Sequence, residues 1–176
     1  MSTFLYADPH FSHQGVCEFT RPDGTKLRPW STYVEMDKEL IYRYITTVKP
    51  SDKVYFLGDV AMKPAALSIL NALPGDKVLI KGNHDQAKLS HYTTYFRDVR
   101  AYWQLAGCLL SHIPIHPQSM SRWTANIHGH LHANEVWDFT RDGVDPRYLC
   151  VSVEHTDYAP ILLEDALARI KQRQGG

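Results

Sequence analysis

The chain has 176 residues, 44% of them hydrophobic and 22% charged, and a formal net charge of +0 at pH 7. That length accommodates one domain with a sizeable core and is too short for two ordinary ones, so residues 1–176 are read as a single domain. A neutral chain has no global field to draw it to nucleic acid or a membrane surface, and its three scattered cysteines, Cys17, Cys108 and Cys150, fit reduced thiols and a cytoplasmic setting.

Residues 3–7 read as a first strand; the run is too short for a signal peptide and leads straight into Asp8-Pro9-His10. No later apolar run approaches the roughly 20 residues of a membrane span. Residues 11–31 are loop-like, with the turn signal Pro22-Asp23-Gly24. Thr32 and Glu35 form a capping box, and the helix it opens carries Met36, Leu40, Ile41, Tyr44, Ile45 and Val48 on one face. Residues 54–57 make a second buried strand, closed by Gly58-Asp59. Pro64 suits the first turn of a short helix with Leu67, Leu70 and Leu73, stopped by Pro74-Gly75. Residues 77–80 are a third strand, opening onto Gly82-Asn83-His84-Asp85. Such strand–helix–strand alternation predicts a parallel sheet. The second half is richer in strands: residues 105–110 lead into Ser111-His112, and residues 123–127 into His128-Gly129-His130-Leu131-His132. Residues 136–139 and 148–153 are further strands, and residues 162–172 a closing helix with Glu164 and Asp165 early and Lys171 and Arg173 late, matching the helix dipole.

Asp8 and His10, Asp59, Asn83 and His84, His112, His130 and His132 all follow predicted strands. In open α/β sheets, sites form outside the carboxyl ends of the strands, so segments distant in sequence converge there. Turns need Asp, Asn and Gly; they do not need histidines in this order. Imidazole, carboxylate and amide-oxygen donors without a thiolate point to Mn, Fe, Ni or Zn rather than Ca or an iron–sulfur cluster. One carboxylate can bridge two such ions about 3.5–4 Å apart. His128, inside a strand, reads as structural or as support for a metal ligand, and His91, His116 and His155 as solvated surface. His13 could line the pocket. Arg21 and Arg28 lie in the long loop, where a guanidinium could meet phosphate oxygens. Trp30, Tyr33 and Tyr158 could stack on a base or cover the core, and cover for the core is the first reading.

In order, Asp8-Pro9-His10, Gly58-Asp59, Gly82-Asn83-His84-Asp85, His112 and Gly129-His130-Leu131-His132 form a pattern that resembles the calcineurin-like metallophosphoesterase superfamily, with flanking text similar to its short bacterial and phage members. The resemblance implies a two-sheet α/β sandwich flanked by helices and two divalent metal ions. It assigns Asp8, His10, Asp59 and His132 to one ion and Asp59, Asn83, His112 and His130 to the other, with Asp59 bridging. His84 would then be the acid that protonates the leaving oxygen, oriented or tuned by Asp85. An Arg-Pro pair in similar short members favours Arg28 over Arg21 as the phosphate contact. The implied activity is hydrolysis of a phosphate ester by in-line attack of a metal-bridging hydroxide. A small nucleotide-like diester is the first expectation: no large cap domain crowds the second substituent, and no basic run tracks a nucleic-acid strand. Phosphomonoesterase, a nuclease on single-stranded ends and a non-enzymatic protein-binding scaffold are the alternatives.

Overall fold

Alternation along three short strands builds the centre of the molecule. In the computed structural model, which describes residues 1–175, Phe4 and Tyr6 of β1 (Thr3–Tyr6) enter one apolar cluster and Leu5 the other. After α1 (Gly15–Glu18) and α2 (Tyr33–Thr47), β2 (Lys53–Phe56) and β3 (Asp76–Ile80) repeat the pattern: Val54, Phe56 and Leu79 on one face, Tyr55, Val78 and Ile80 on the other. A strand with both faces buried carries apolar residues at every position. α3 (Leu89–Tyr92), β4 (Asp98–Arg100), β5 (Tyr102–Leu105), β6 (Cys108–Ser111), β7 (Ala125–His128), β8 (Trp137–Asp138), β9 (Gly143–Val144), β10 (Tyr148–Cys150), β11 (Ile161–Leu162) and α4 (Leu163–Gln174) follow.

The first sheet has the order β11-β1-β2-β3-β4, parallel except for β11. The second has the order β10-β7-β6-β5, parallel except for the β5–β6 hairpin. Leu5, Tyr55 and Ile80 from one sheet and Leu110, Ile127 and Leu149 from the other share one cluster, which is the seam between the sheets. Met36, Leu40 and Tyr44 of α2 cover the opposite face of the first sheet. The fold is thus mixed α/β, with two sheets sharing a core and helices outside. Among the described residues no helix is long and apolar enough to cross a membrane.

The capping box of α2 forms as read, with Thr32 Oγ1 accepting from Glu35 N and the Glu35 carboxylate accepting from Thr32 N. The segment after Pro64 is a 3-10 helix, Pro64–Asn71, rather than an α-helix. Leu67, Leu70 and Leu73 recur every third residue, the period of a 3-10 turn, and all are buried. The expected strand over 105–110 divides into a hairpin because Ala106 and Gly107 take positive φ (50° and 77°), the geometry of a tight two-residue turn. The strand expected over 148–153 stops at Cys150, and Val153–His155 is a 3-10 turn. Only Trp137–Asp138 of residues 136–139 is strand, paired with Gly143–Val144.

Candidate metal centre

Asp8, Asp59, Asn83, His112 and His130 all follow the carboxyl ends of parallel strands, β1, β2, β3, β6 and β7, and these ends meet. The backbone turns sharply there. Asp8, His10, Asp59, His130 and His132 have φ of 56°, 51°, 54°, 69° and 52°, a region costly for residues with a Cβ. Strain of order 1–3 kcal/mol per residue persists only where the surroundings enforce it. Much of the enforcement is visible. The Asp8 carboxylate accepts from His130 N (3.1 and 3.0 Å) and from Ser152 Oγ (2.7 Å). Asp59 Oδ1 accepts from His84 N (2.8 Å). Ser12 N and Oγ donate to the Asp37 carboxylate on α2, which fixes the chain beyond His10. A Cβ on Gly82 would lie 2.2 Å from Asp59 Oδ1, and one on Gly129 2.4 Å from Asp8 Oδ2, so only glycine lets these carboxylates sit where they do.

Two groups of donor atoms result, each with one ligating atom per residue and all atoms within 4.8 Å of one another: Asp8, His10 and His132, and Asp59, His112 and His130. Either group could hold a metal ion. His112 Nδ1 lies 2.8 Å from the Leu57 carbonyl oxygen and therefore carries the proton. Its Nε2 then faces acceptors, Asn83 Oδ1 at 2.8 Å and Asp59 Oδ2 at 3.3 Å. Lone pairs facing one another need a cation or a proton between them. Donors about 2.1 Å from a common ion at right angles lie about 3 Å apart, the spacing seen. Burial lowers the His112 pKa, but Asp59 and then Asp8 outweigh it and raise it, so the surroundings favour positive charge at this point.

His10 has both ring nitrogens buried and without a hydrogen-bond partner. Its Nε2 is 3.6 Å from Asp59 Oδ2 and 4.0 Å from Asp8 Oδ1, and its ring stacks on His132 at 5.1 Å between centroids. Burial, then Arg28, holds the His10 pKa well below the usual range, leaving a neutral imidazole. A buried polar atom without a partner costs about 1–3 kcal/mol, which a bound ion would offset. Burial pushes Asp8 up to about 6 against the neighbouring histidines. The donor set fits divalent transition metals.

Glu154, which sequence reasoning missed, supports the first group through His132. Its buried carboxylate oxygen Oε1 lies 3.1 Å from His132 Nδ1 and 2.9 Å from Arg28 Nε. The first contact places the His132 proton on Nδ1 and leaves Nε2 to ligate, an arrangement common around metal-bound histidine. Burial alone would raise the Glu154 carboxyl; Arg28 and then His132 outweigh it and hold it at about 2.

Two expectations are corrected. Arg28 contacts no open cavity: it is wholly buried, donating through Nη2 to the Asp8 carbonyl (2.6 Å) and through Nη1 to the Pro9 carbonyl (2.8 Å). A guanidinium reaches those carbonyls and Glu154 together because it is a planar fork. Asp85 does not orient the His84 ring: its buried carboxylate accepts from the backbone N–H of Asp59, Val60 and Gly82, tying the β2 and β3 loops together. His84 is exposed, its ring 5.6 Å from that of His10. His13 stands beside His10, ring centroids 5.4 Å apart, with Nδ1 unpartnered. Arg21, the less favoured arginine, lines a cavity of about 580 Å³ with Phe19, His130 and His132. His128 is fully buried with Nδ1 against the Gly129 carbonyl, a structural placement. Trp30 packs edge-on against Tyr158 at 4.7 Å over the core.

Fold and site together define a mixed α/β protein with paired His/Asp groups able to hold metal ions. The chain is 30% identical over 165 residues to the uncharacterized protein MJ1445 of Methanocaldococcus jannaschii, spanning 92% of this chain and 86% of that one, and it belongs to the same family. The crystal structure of the protein of unknown function AQ665 from Aquifex aeolicus is similar too, with a TM-score of 0.69, 27% identity and coverage of 95% of this chain and 98% of that chain. No family model matches the sequence.

Proposed function

We propose that the chain is a dinuclear metal-dependent phosphoesterase of the calcineurin-like type, acting on a small nucleotide-like phosphodiester, with manganese the first choice of metal. The observation that carries this reading is the position of Asp59 Oδ2, 3.6 Å from His10 Nε2 in one donor group and 3.3 Å from His112 Nε2 in the other. An oxygen so placed can serve both ions. Two divalent ions would supply Lewis-acid polarisation of the phosphoryl oxygens and activation of the attacking water. The protein contributes the frame and a proton. Asp8 and Asp59 would offset part of the charge of bound ions, and a centre with charge left over would attract an anion. His84, exposed at the mouth and fixed through its backbone N–H on Asp59 Oδ1, would protonate the leaving oxygen as the P–O bond breaks. Water provides the new P–O bond, and the products are a phosphomonoester and an alcohol.

The test is turnover by the manganese-loaded protein across cyclic nucleotides, dinucleotides, nucleotide monophosphates and single-stranded oligonucleotides, alongside metal analysis. Hydrolysis of diesters above monoesters is expected. Preference for monophosphates or strand ends would move the reading to phosphomonoesterase or nuclease; two bound metals with no turnover of any ester would leave a metal-stabilised scaffold.

A further inference from the structure

A cavity of about 480 Å³ adjoins the metal centre on the Asn83–His112 side, and the proposed chemistry leaves it unused. Its walls include Tyr102, Ile113, Ile115 and Trp123, with Lys81 among the lining residues and no acidic side chain. Tyr102 and Ile113 are 56% and 51% exposed, large apolar groups left open to solvent. Lys81 makes no ion pair among the described residues. The second cavity, with Arg21 and Phe19, lies on the His130–His132 side.

The wall is held in advance. Asn126 is fully buried, accepts from Ile115 N (3.0 Å), and donates to the Leu109 carbonyl (3.0 Å) and Ser111 Oγ (2.9 Å). Tyr148 Oη donates to the Ile115 carbonyl (2.6 Å), and Ser111 Oγ to the Ile113 carbonyl (2.7 Å). The segment from Ser111 to Ile115 is thereby pinned to the second sheet, with Ile113 and Ile115 lining the cavity. Ligand sites are typically mostly apolar cavities of about 300–1,000 Å³ with a few placed polar groups. Here those groups are donors of one metal-binding group and a lysine, and both suit a phosphate.

We infer that this cavity binds a planar aromatic group, of nucleobase type, carried by a phosphate compound whose phosphate is held at the metal centre. The inference rests on the metal-centre reading and names the substituent that the site selects. Aromatic walls stack on any base through its π-face, and a lysine without a carboxylate beside it favours the attached anion. Cavities on both sides of the centre also give a diester's two substituents separate places.

The experiment is calorimetric binding of adenosine 5′-monophosphate, ribose 5-phosphate and inorganic phosphate to the manganese-loaded protein, with Tyr102→Ala and Trp123→Ala. Adenosine monophosphate is expected to bind wild type about tenfold more tightly than ribose 5-phosphate, the size of one stacked base. Tyr102→Ala, at a half-exposed position that leaves the core intact, should remove most of that margin and leave ribose 5-phosphate unchanged. Equal affinity of the two compounds, or a margin that survives both substitutions, overturns the inference. Diester turnover is measured on the same samples. A margin without turnover keeps the cavity and retires the hydrolase; turnover without a margin keeps the hydrolase and retires the cavity.

Discussion

Replacing Glu154 by Gln tests whether the metal centre depends on the charge buried beneath it. The Glu154 carboxylate and the Arg28 guanidinium are both 0% exposed, so the substitution leaves a cation in the interior without its counter-ion. Removing one member of a buried pair costs about 3–5 kcal/mol. The new amide nitrogen adds to this, because Glu154 Oε2, whose place it takes, has no hydrogen-bond partner and a buried N–H there would be unsatisfied. For a chain of this length each kcal/mol lowers Tm by roughly 2–4 °C, so a fall of roughly 6–20 °C is expected. The His132 Nδ1–H loses a charged acceptor at the same time, and loss of such support weakens metal affinity about 10–100-fold. Urea unfolding of the metal-free protein and manganese titration measure the two effects separately. Arg28→Met and the double variant close a thermodynamic cycle, in which the losses should be strongly sub-additive. Stability within about 1 kcal/mol of wild type, with unchanged metal affinity, would refute the reasoning.

Asp59→Asn should lose at least one metal and all turnover while destabilising less than Leu40→Ala in the core, which should cost about 2–5 kcal/mol; two metals per chain with near-normal turnover would exclude the bridging role. Metal affinity should fall with acid: burial raises Asp8 to about 6, so below that pH a proton occupies the group and must be displaced, whereas above it the ligand is ionised. The manganese-induced rise in Tm should therefore shrink as pH falls through about 6, and a rise unchanged from pH 8 to pH 5 would contradict it. His84→Ala should retain both metals and lose about 10²–10⁴-fold on ribose esters but little on p-nitrophenyl esters, whose leaving anion needs no proton; equal losses on both would leave His84 a positioning residue.

The donor residues were legible because each follows a strand whose apolar run announces it, and because Gly58, Gly82 and Gly129 mark the close turns. α2 was legible from its capping box and apolar face. Four strands escaped notice wholly or in large part: β4, β5, β9 and β11. β4 (Asp98–Arg100) has a charged residue at each end and an edge position, and β11 (Ile161–Leu162) pairs with β1 over a register too short for any period to show. Glu154 escaped for a different reason: it sits in a 3-10 turn far along the chain, and only tertiary packing brings it to Arg28. Arg28 itself was visible, but an arginine beside a phosphate site and one beneath it have the same local sequence; burial distinguishes them.

That difference changes what the segment 11–31 does. A phosphate-facing arginine would make the loop part of substrate recognition, free to open and close. The buried one makes it part of the frame, since the same guanidinium holds the backbone carbonyls of Asp8 and Pro9 and the carboxylate that orients His132. Lysine could not replace it, because an ammonium is a point charge and cannot span three acceptors in one plane. Asp8 and His10 lie within the turn whose carbonyls Arg28 holds, both with positive φ, so the guanidinium stabilises strained backbone as well as a neighbouring charge. Arg21 instead lines the cavity beside His130 and His132. One loop thus carries two arginines seven positions apart in different settings: a buried one that shapes the turn holding Asp8 and His10, and a half-buried one that lines a cavity.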